Sequence, residues 1–247
     1  MYNTHLTFLL IVVLFNLSST DNLLKTRKLS DILTADPWDT YDIYVLAVQW
    51  GSTLCLTKGD ICYEKLKQIP AHSVSLHGLW PSLSSGGTLP DCNSGDAIDI
   101  IDTGTETFLK MRQYWPSLTG TNKDFWDHEY NKHGYCYNMK YDIDEEKYDI
   151  YFARVLDLFF DLKINTVITD IVGDLEDGEH PLPDDFNDKM DKRFGANTYS
   201  LRCTKYGGKY YLQEIRFRFD LDLKLTTKGK SQASCPNGQP IIVNYVS

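Results

Sequence analysis

Phe125-Trp126-Asp127-His128-Glu129-Tyr130-Asn131-Lys132-His133-Gly134-Tyr135-Cys136 is the stretch on which the reading of this chain turns. At about 100° per residue of α-helix, His128, Glu129, Lys132 and His133 share one arc of roughly 140°. Glu129 and His133 are four apart, as are His128 and Lys132, so a helix lets each pair touch. Gly134 is a stop signal. Two imidazoles, a carboxylate and an ammonium beside Phe125 and Trp126 do not read as a solvated helix face.

A second stretch, Ser75-Leu76-His77-Gly78-Leu79-Trp80-Pro81, reads as a strand end. Val74 and Leu76 point to one side, and Ser73, Ser75 and His77 to the other. Gly78 lets the chain turn and Pro81 ends the ladder, leaving His77 at a strand terminus. Together the two stretches suit metal-free general acid–base chemistry on a phosphodiester. Two histidines pass protons in opposite directions, and a lysine neutralises developing charge. A zinc site is disfavoured by spacing: zinc-binding helices place their histidines four apart, whereas His128 and His133 are five apart, about 140° round the helix. Lys132 would also set a positive charge beside the ion. No metal or cofactor is implied.

The two motifs closely resemble the paired active-site motifs of the ribonuclease T2 family, secreted or vacuolar acid endoribonucleases. In that family a hydrophobic strand runs into His-Gly-Leu-Trp-Pro, and the second motif runs Phe-Trp-x-His-Glu-aromatic-x-Lys-His-Gly-x-Cys. Both are complete here, and the likeness extends to Tyr41-Asp42 through Gln49-Trp50, to Trp115-Pro116 and to Cys235-Pro236. The resemblance implies cleavage of single-stranded RNA through its own 2′-hydroxyl, giving 2′,3′-cyclic phosphates with low base specificity. DNA lacks that nucleophile. It further implies His133 as general base, His77 as general acid, Glu129 and Lys132 as stabilisers of the pentacoordinate state, and His128 as a phosphate ligand. The reciprocal assignment of His77 and His133 stays open on sequence, as does a role for Glu129 in setting the His133 pKa. Trp80 matches the first base site; Gln49, Pro116, Ser117 and Phe125 match the second. Bases would stack on the aromatic faces. The usual acidic residue two positions after the tryptophan is Ser82 here, so a purine preference resting on that carboxylate is not implied. The other class of function is a secreted binding or signalling protein that keeps the fold without catalysis; the intact His77, Glu129, Lys132 and His133 speak against it.

The chain has 247 residues, enough for one substantial domain. Residues 1–20 contain the apolar run Leu6 to Leu17 followed by Ser18, Ser19 and Thr20, and read as a signal peptide; residues 21–247 read as the catalytic domain. No later segment is apolar enough to span a membrane. The six cysteines, Cys55, Cys62, Cys92, Cys136, Cys203 and Cys235, all follow the signal segment and imply oxidised pairs. Six cysteines allow fifteen connectivities. The resemblance implies Cys92–Cys136, and sequence proximity adds Cys55–Cys62 and Cys203–Cys235. A net charge of −9 argues against tight non-specific nucleic-acid binding at neutral pH. In an acidic compartment the carboxylates begin to protonate and the histidines charge, which eases repulsion of phosphate. The expected location is extracellular or lysosomal/vacuolar, and the expected state a monomer.

For the rest, residues 41–50 read as a buried strand, 82–95 as a loop and 96–114 as a helix. Residues 145–163 carry a strong helical stripe, Tyr148, Tyr151, Phe152, Val155, Leu158, Phe159 and Leu162. Residues 174–193 read as a loop and a short helix. Residues 198–203 and 209–225 read as strands around a Gly207-Gly208 turn. The fold class is α+β: one domain with a central, mainly antiparallel β-sheet flanked by several helices and stabilised by disulfides.

Overall fold

Ile43–Gln49, the sequence Ile-Tyr-Val-Leu-Ala-Val-Gln, forms β1 and is buried along its whole length. A strand apolar on both faces belongs in the middle of a sheet, and β1 lies between two antiparallel partners, β2 (Ser75–Ser82) and β5 (Lys209–Phe219). The computed structural model describes residues 37–70, 73–86, 89, 91–93, 97–173 and 176–245. The expected signal segment lies outside the described residues.

β4 (Tyr199–Tyr206) pairs antiparallel with β5 through a hairpin. Gly207 and Gly208 form its two-residue turn with φ of 55° and 85°. Two successive positive φ values are what such a turn demands and what glycine allows. β6 (Ile241–Tyr245) runs parallel to β5, and β3 (Gly178–Pro181) pairs antiparallel with β6. The sheet is therefore antiparallel apart from the β5–β6 contact.

The described helices are α1 (Pro37–Thr40), α2 (Gly51–Lys58), α3 (Asp60–Leu66), α4 (Glu106–Tyr114), α5 (Asn122–Glu129), a π-helical turn (Tyr130–Gly134), α6 (Tyr135–Lys140), α7 (Tyr148–Asp161), α8 (Ile164–Val172) and α9 (Phe186–Phe194). The stripe expected on α7 is its buried face: Tyr151, Phe152, Val155, Leu158 and Phe159. They join Leu46, Leu76, Phe108, Trp115 and Phe217 in one core cluster. A smaller cluster under α2 and α3 contains Cys55, Cys62, Ile69 and Leu118. The disulfides are Cys55–Cys62, Cys92–Cys136 and Cys203–Cys235.

Four expectations need correction. The helix expected over 96–114 begins only at Glu106. Upstream of it, the amides of Ile98 and Ile100 are bonded to the side chains of Asn131 and Asp127, which replace helical hydrogen bonds. The strand expected to reach residue 225 ends at Phe219, because Asp220 Oδ1 accepts from the amides of Asp222 and Lys224 and turns the chain. β2 does not stop at Gly78 but runs to Ser82 at the sheet edge, where Pro81 costs little. That edge is closed by side chains. The Tyr151 hydroxyl donates to Leu79 O at 2.9 Å and lies 3.3 Å from Leu79 N; Asn165 accepts from Val74 N. Gly134 does not stop the helix, because its φ of −67° and ψ of −31° are helical and the chain runs on into α6. Elements that went unread are α1, α2, α3, α6, α8, β3 and β6. Among the described residues no helix is long and apolar enough to cross a membrane.

Candidate active site

The first histidine depends on an irregularity in β2. Ala47 pairs with Gly78 and Val48 with Leu76, so His77 has no partner on β1 and forms a β-bulge. Residues three apart on a regular strand face opposite sides. The extra residue breaks that alternation, and His77 and Trp80 meet with ring centroids 5.0 Å apart. Leu76 and Leu79 are turned into the core. The His77 carbonyl accepts a 2.7 Å bond from Trp115 Nε1.

The second motif begins as expected. Thr121 caps α5 by accepting from Asp124 N. After Glu129 the helix widens into the π turn, in which Tyr135 N bonds to Tyr130 O, five residues back. This changes the angular reading. Residues five apart come nearly into line, and the rings of His128 and His133 lie 6.5 Å apart rather than on separate sides of an α-helix. The spacing argument against a metal therefore loses its basis. Among the described residues, however, no three His, Cys, Asp or Glu side chains gather where they could hold an ion. Asn131 fastens the turn: its amide holds both N–H and C=O of Ile98 and accepts from Asn93 Nδ2. The Cys92–Cys136 bridge ties the same segments together.

Glu129 is only 1% exposed. Its Oε2 accepts from Trp80 Nε1 at 2.9 Å, and its Oε1 lies 3.8 Å from His77 Nε2. The carboxylate thus turns toward β2, and its influence falls on His77. This corrects the sequence reading, in which Glu129 met His133. Gly78 makes the arrangement possible, since a Cβ there would lie 2.0 Å from Glu129 Oε2.

The two histidines have opposite surroundings. Burial disfavours a charge on His77, but the hydrogen bond it donates to Glu214 and the fields of Glu129 and Glu214 outweigh it, and its pKa is raised. Burial also disfavours charge on His133, and there Lys132, His128 and His77 add to the effect, pushing its pKa down to about 3. His128 is lowered by burial, Lys132 and His77. Glu129 is pushed up to about 7 because burial strips its carboxylate of water.

The remaining expected residues divide between surfaces. Gln49, Ser117 and Phe125 line a cleft of about 180 Å³ with His77, Glu214 and Lys58. Pro116, expected beside them, is buried and lies off that lining. Trp80 has the Arg216 guanidinium 4.8 Å from its ring centre and is tilted 38° to His133, 5.6 Å away. His128 and Lys132 open instead on a separate hollow of about 230 Å³ with Asp91, Asn93 and Asn131. Sequence reasoning missed Glu214 and Arg216. Their signal was available: Glu214, Arg216 and Arg218 alternate with Ile215, Phe217 and Phe219 along a largely buried strand, where charges are rare unless partnered.

A model of the ribonuclease T2 family matches residues 41–235. A ribonuclease T2-like protein of Emericella nidulans is 30% identical over 183 residues, 69% of this chain and 42% of that protein. Ribonuclease Rh of Rhizopus niveus is 38% identical over 102 residues, 36% of this chain and 43% of its own length. The chain thus spans about half or less of the length of these relatives. Among solved structures, trichomaglin, described as an S-like ribonuclease, superposes with a TM-score of 0.63 at 26% identity, covering 83% of this chain and 97% of its own. A variant of ribonuclease MC1 in complex with 5′-GMP superposes with a TM-score of 0.61 at 20% identity, covering 83% and 100%, a likeness of fold. With both motifs complete and the family model matched from β1 through the β4–β5 hairpin to Cys235, the chain belongs to the ribonuclease T2 family.

Proposed function

We propose that this protein is an endoribonuclease that cleaves single-stranded RNA without a metal, and that His133 and His77 are its base and acid. The observation that carries the reading is the opposed surroundings of the two imidazoles, both of which lie beside Trp80. In mildly acidic solution His133 is neutral and free to take a proton, while His77 is charged and able to give one. His133 removes the 2′-hydroxyl proton, the 2′-oxygen attacks phosphorus, and His77 Nε2 protonates the departing 5′-oxygen. The product is a 2′,3′-cyclic phosphate. Lys132 offers positive charge to the phosphorane oxygens. Glu129, bonded to Trp80 Nε1 and 3.8 Å from His77 Nε2, joins Lys132 in stabilising the pentacoordinate state. His128, beside Lys132, binds a neighbouring phosphate.

The Gln49, Ser117 and Phe125 cleft is our choice for the base on one side of the scissile bond, with Phe125 as stacking surface and the Gln49 amide reading base edges. Trp80 serves the other base from the side not covered by Arg216. The apolar leader and three disulfides support passage through an oxidising secretory route. The test is digestion of single-stranded RNA and of DNA of the same sequence, with and without EDTA, with products analysed for the cyclic phosphate. RNA alone should be cut, equally well in chelator. Loss of cutting in EDTA, restored by zinc, would overturn the metal-free mechanism.

A further inference from the structure

Glu214 has no part in the proton transfers above, yet it makes the shortest polar contact to either histidine. It lies on β5, 6% exposed, with Oε1 2.6 Å from His77 Nδ1. Its other oxygen accepts from Arg216 Nε at 2.8 Å and lies 2.7 Å from Arg216 Nη2. Arg216 is fixed in turn, with Nη1 donating to Gln232 Oε1 at 2.8 Å and the guanidinium over Trp80. Such a carboxylate stays ionised; Arg216 and His77 outweigh its burial and hold its pKa below the ordinary range. An ionised carboxylate only accepts hydrogen bonds. His77 Nδ1 must therefore carry a proton in both states of the ring, and the exchangeable proton belongs to Nε2. That nitrogen faces Glu129, on the side of the second motif.

We propose that Glu214 is the positioning residue of the general acid: it fixes the tautomer and plane of His77 so that Nε2 alone delivers the proton. This rests on the acid role given to His77 above. In the step concerned, the 2′-O–P bond forms and the P–O5′ bond breaks. The 2′-hydroxyl proton goes to His133, and the Nε2 proton goes to O5′. The ring left behind is neutral, with its Nδ1 proton still held by Glu214. Arg216 keeps Glu214 from taking that proton. The ring is further confined by Trp80 at 5.0 Å and Phe125 at 5.8 Å between centroids. The charged or titratable groups facing His77 are Glu214 and Arg216 from β5, Glu129 from α5, His128 and His133 from the second motif, and Lys58 across the cleft.

The test is nitrogen-15 NMR of the histidine rings together with steady-state kinetics. In the wild type the neutral His77 ring should be protonated at Nδ1; a ring protonated at Nε2 overturns the proposal without any substitution. In Glu214→Gln, His77 should titrate at lower pH and the alkaline limb of kcat/KM should move down with it. Turnover should fall at least about tenfold, and KM should change little. Glu214→Asp keeps the charge on a shorter arm and should recover part of both the titration and the turnover. An unchanged His77 titration in Glu214→Gln, or a loss confined to KM, would overturn the proposal. Absence of ribonuclease activity in the wild type would instead defeat the functional reading, and the tautomer result would stand apart from it.

Discussion

His77 sits among carboxylates, and His133 beside a lysine and a second histidine. Glu214 lies 2.6 Å from the first ring and Glu129 3.8 Å from it. The second ring has Lys132 beside it in sequence and His128 at 6.5 Å. Burial acts on both in the same direction, against the charged form, so it cannot divide them. The neighbours do. One side chain type acquires two protonation states because Glu214 on β5 and Glu129 at the end of α5 supply acids to one copy, whereas Lys132 and His128 supply bases to the other.

The contrast breaks most severely if either ring is removed. His77→Ala and His133→Ala should each lower kcat by about 10² to 10⁴, the range for losing one acid or base. A folded variant that kept nearly the wild-type rate would remove that histidine from the mechanism. Next in size is Gly78→Ala. The new Cβ would claim the place of the Glu129 carboxylate, and a displacement near 1 Å is enough to cost on the order of 10² in turnover. An unaffected kcat, with the variant verified as folded, would show that Glu129 need not occupy that place.

The pH profile sharpens the comparison. The proposed mechanism needs His133 neutral and His77 charged, so kcat/KM should be high in the acidic range and fall as pH rises through the raised pKa of His77. A rate still climbing above about pH 8, well beyond the ordinary histidine range, would contradict the pair. Lys132→Met removes a charge that holds His133 down, so the acid limb should move to higher pH. The smallest effect is on stability. The folded pKa of Glu129, about 7, lies above the ordinary carboxyl value, so the folded state loses stability as pH rises through that interval. Glu129→Gln has nothing to ionise. It should match the wild type near pH 4 in thermal or urea unfolding and exceed it by roughly 1 to 3 kcal/mol above pH 7. Equal stability at both pH values would deny the buried carboxyl its shifted titration.

The residue types in the two motifs were legible in the sequence, and their geometry was only partly so. Regular periods of 2.0 and 3.6 placed His77 at a strand end and Glu129 under His133. Both elements carry one residue more than a regular ladder holds, at His77 in β2 and across Tyr130–Gly134. Each irregularity turns side chains away from their ideal positions. The α7 stripe and the β4–β5 hairpin were readable because their periods and turn residues are undisturbed. β6 is five residues long and α8 nine, each too short to stand out. Glu214 was missed because its meaning depends on a partner 137 residues away.

Tyr151 carries a consequence for how the protein behaves at high concentration. β2 ends the sheet, and a strand with a free edge is a template on which another chain can add a strand. The Tyr151 hydroxyl occupies the N–H and C=O of Leu79 on that edge, and Trp115 and Asn165 occupy the His77 carbonyl and the Val74 amide. The strand that bears His77 is thus withheld from edge-to-edge self-association by aromatic and amide side chains rather than by a neighbouring strand.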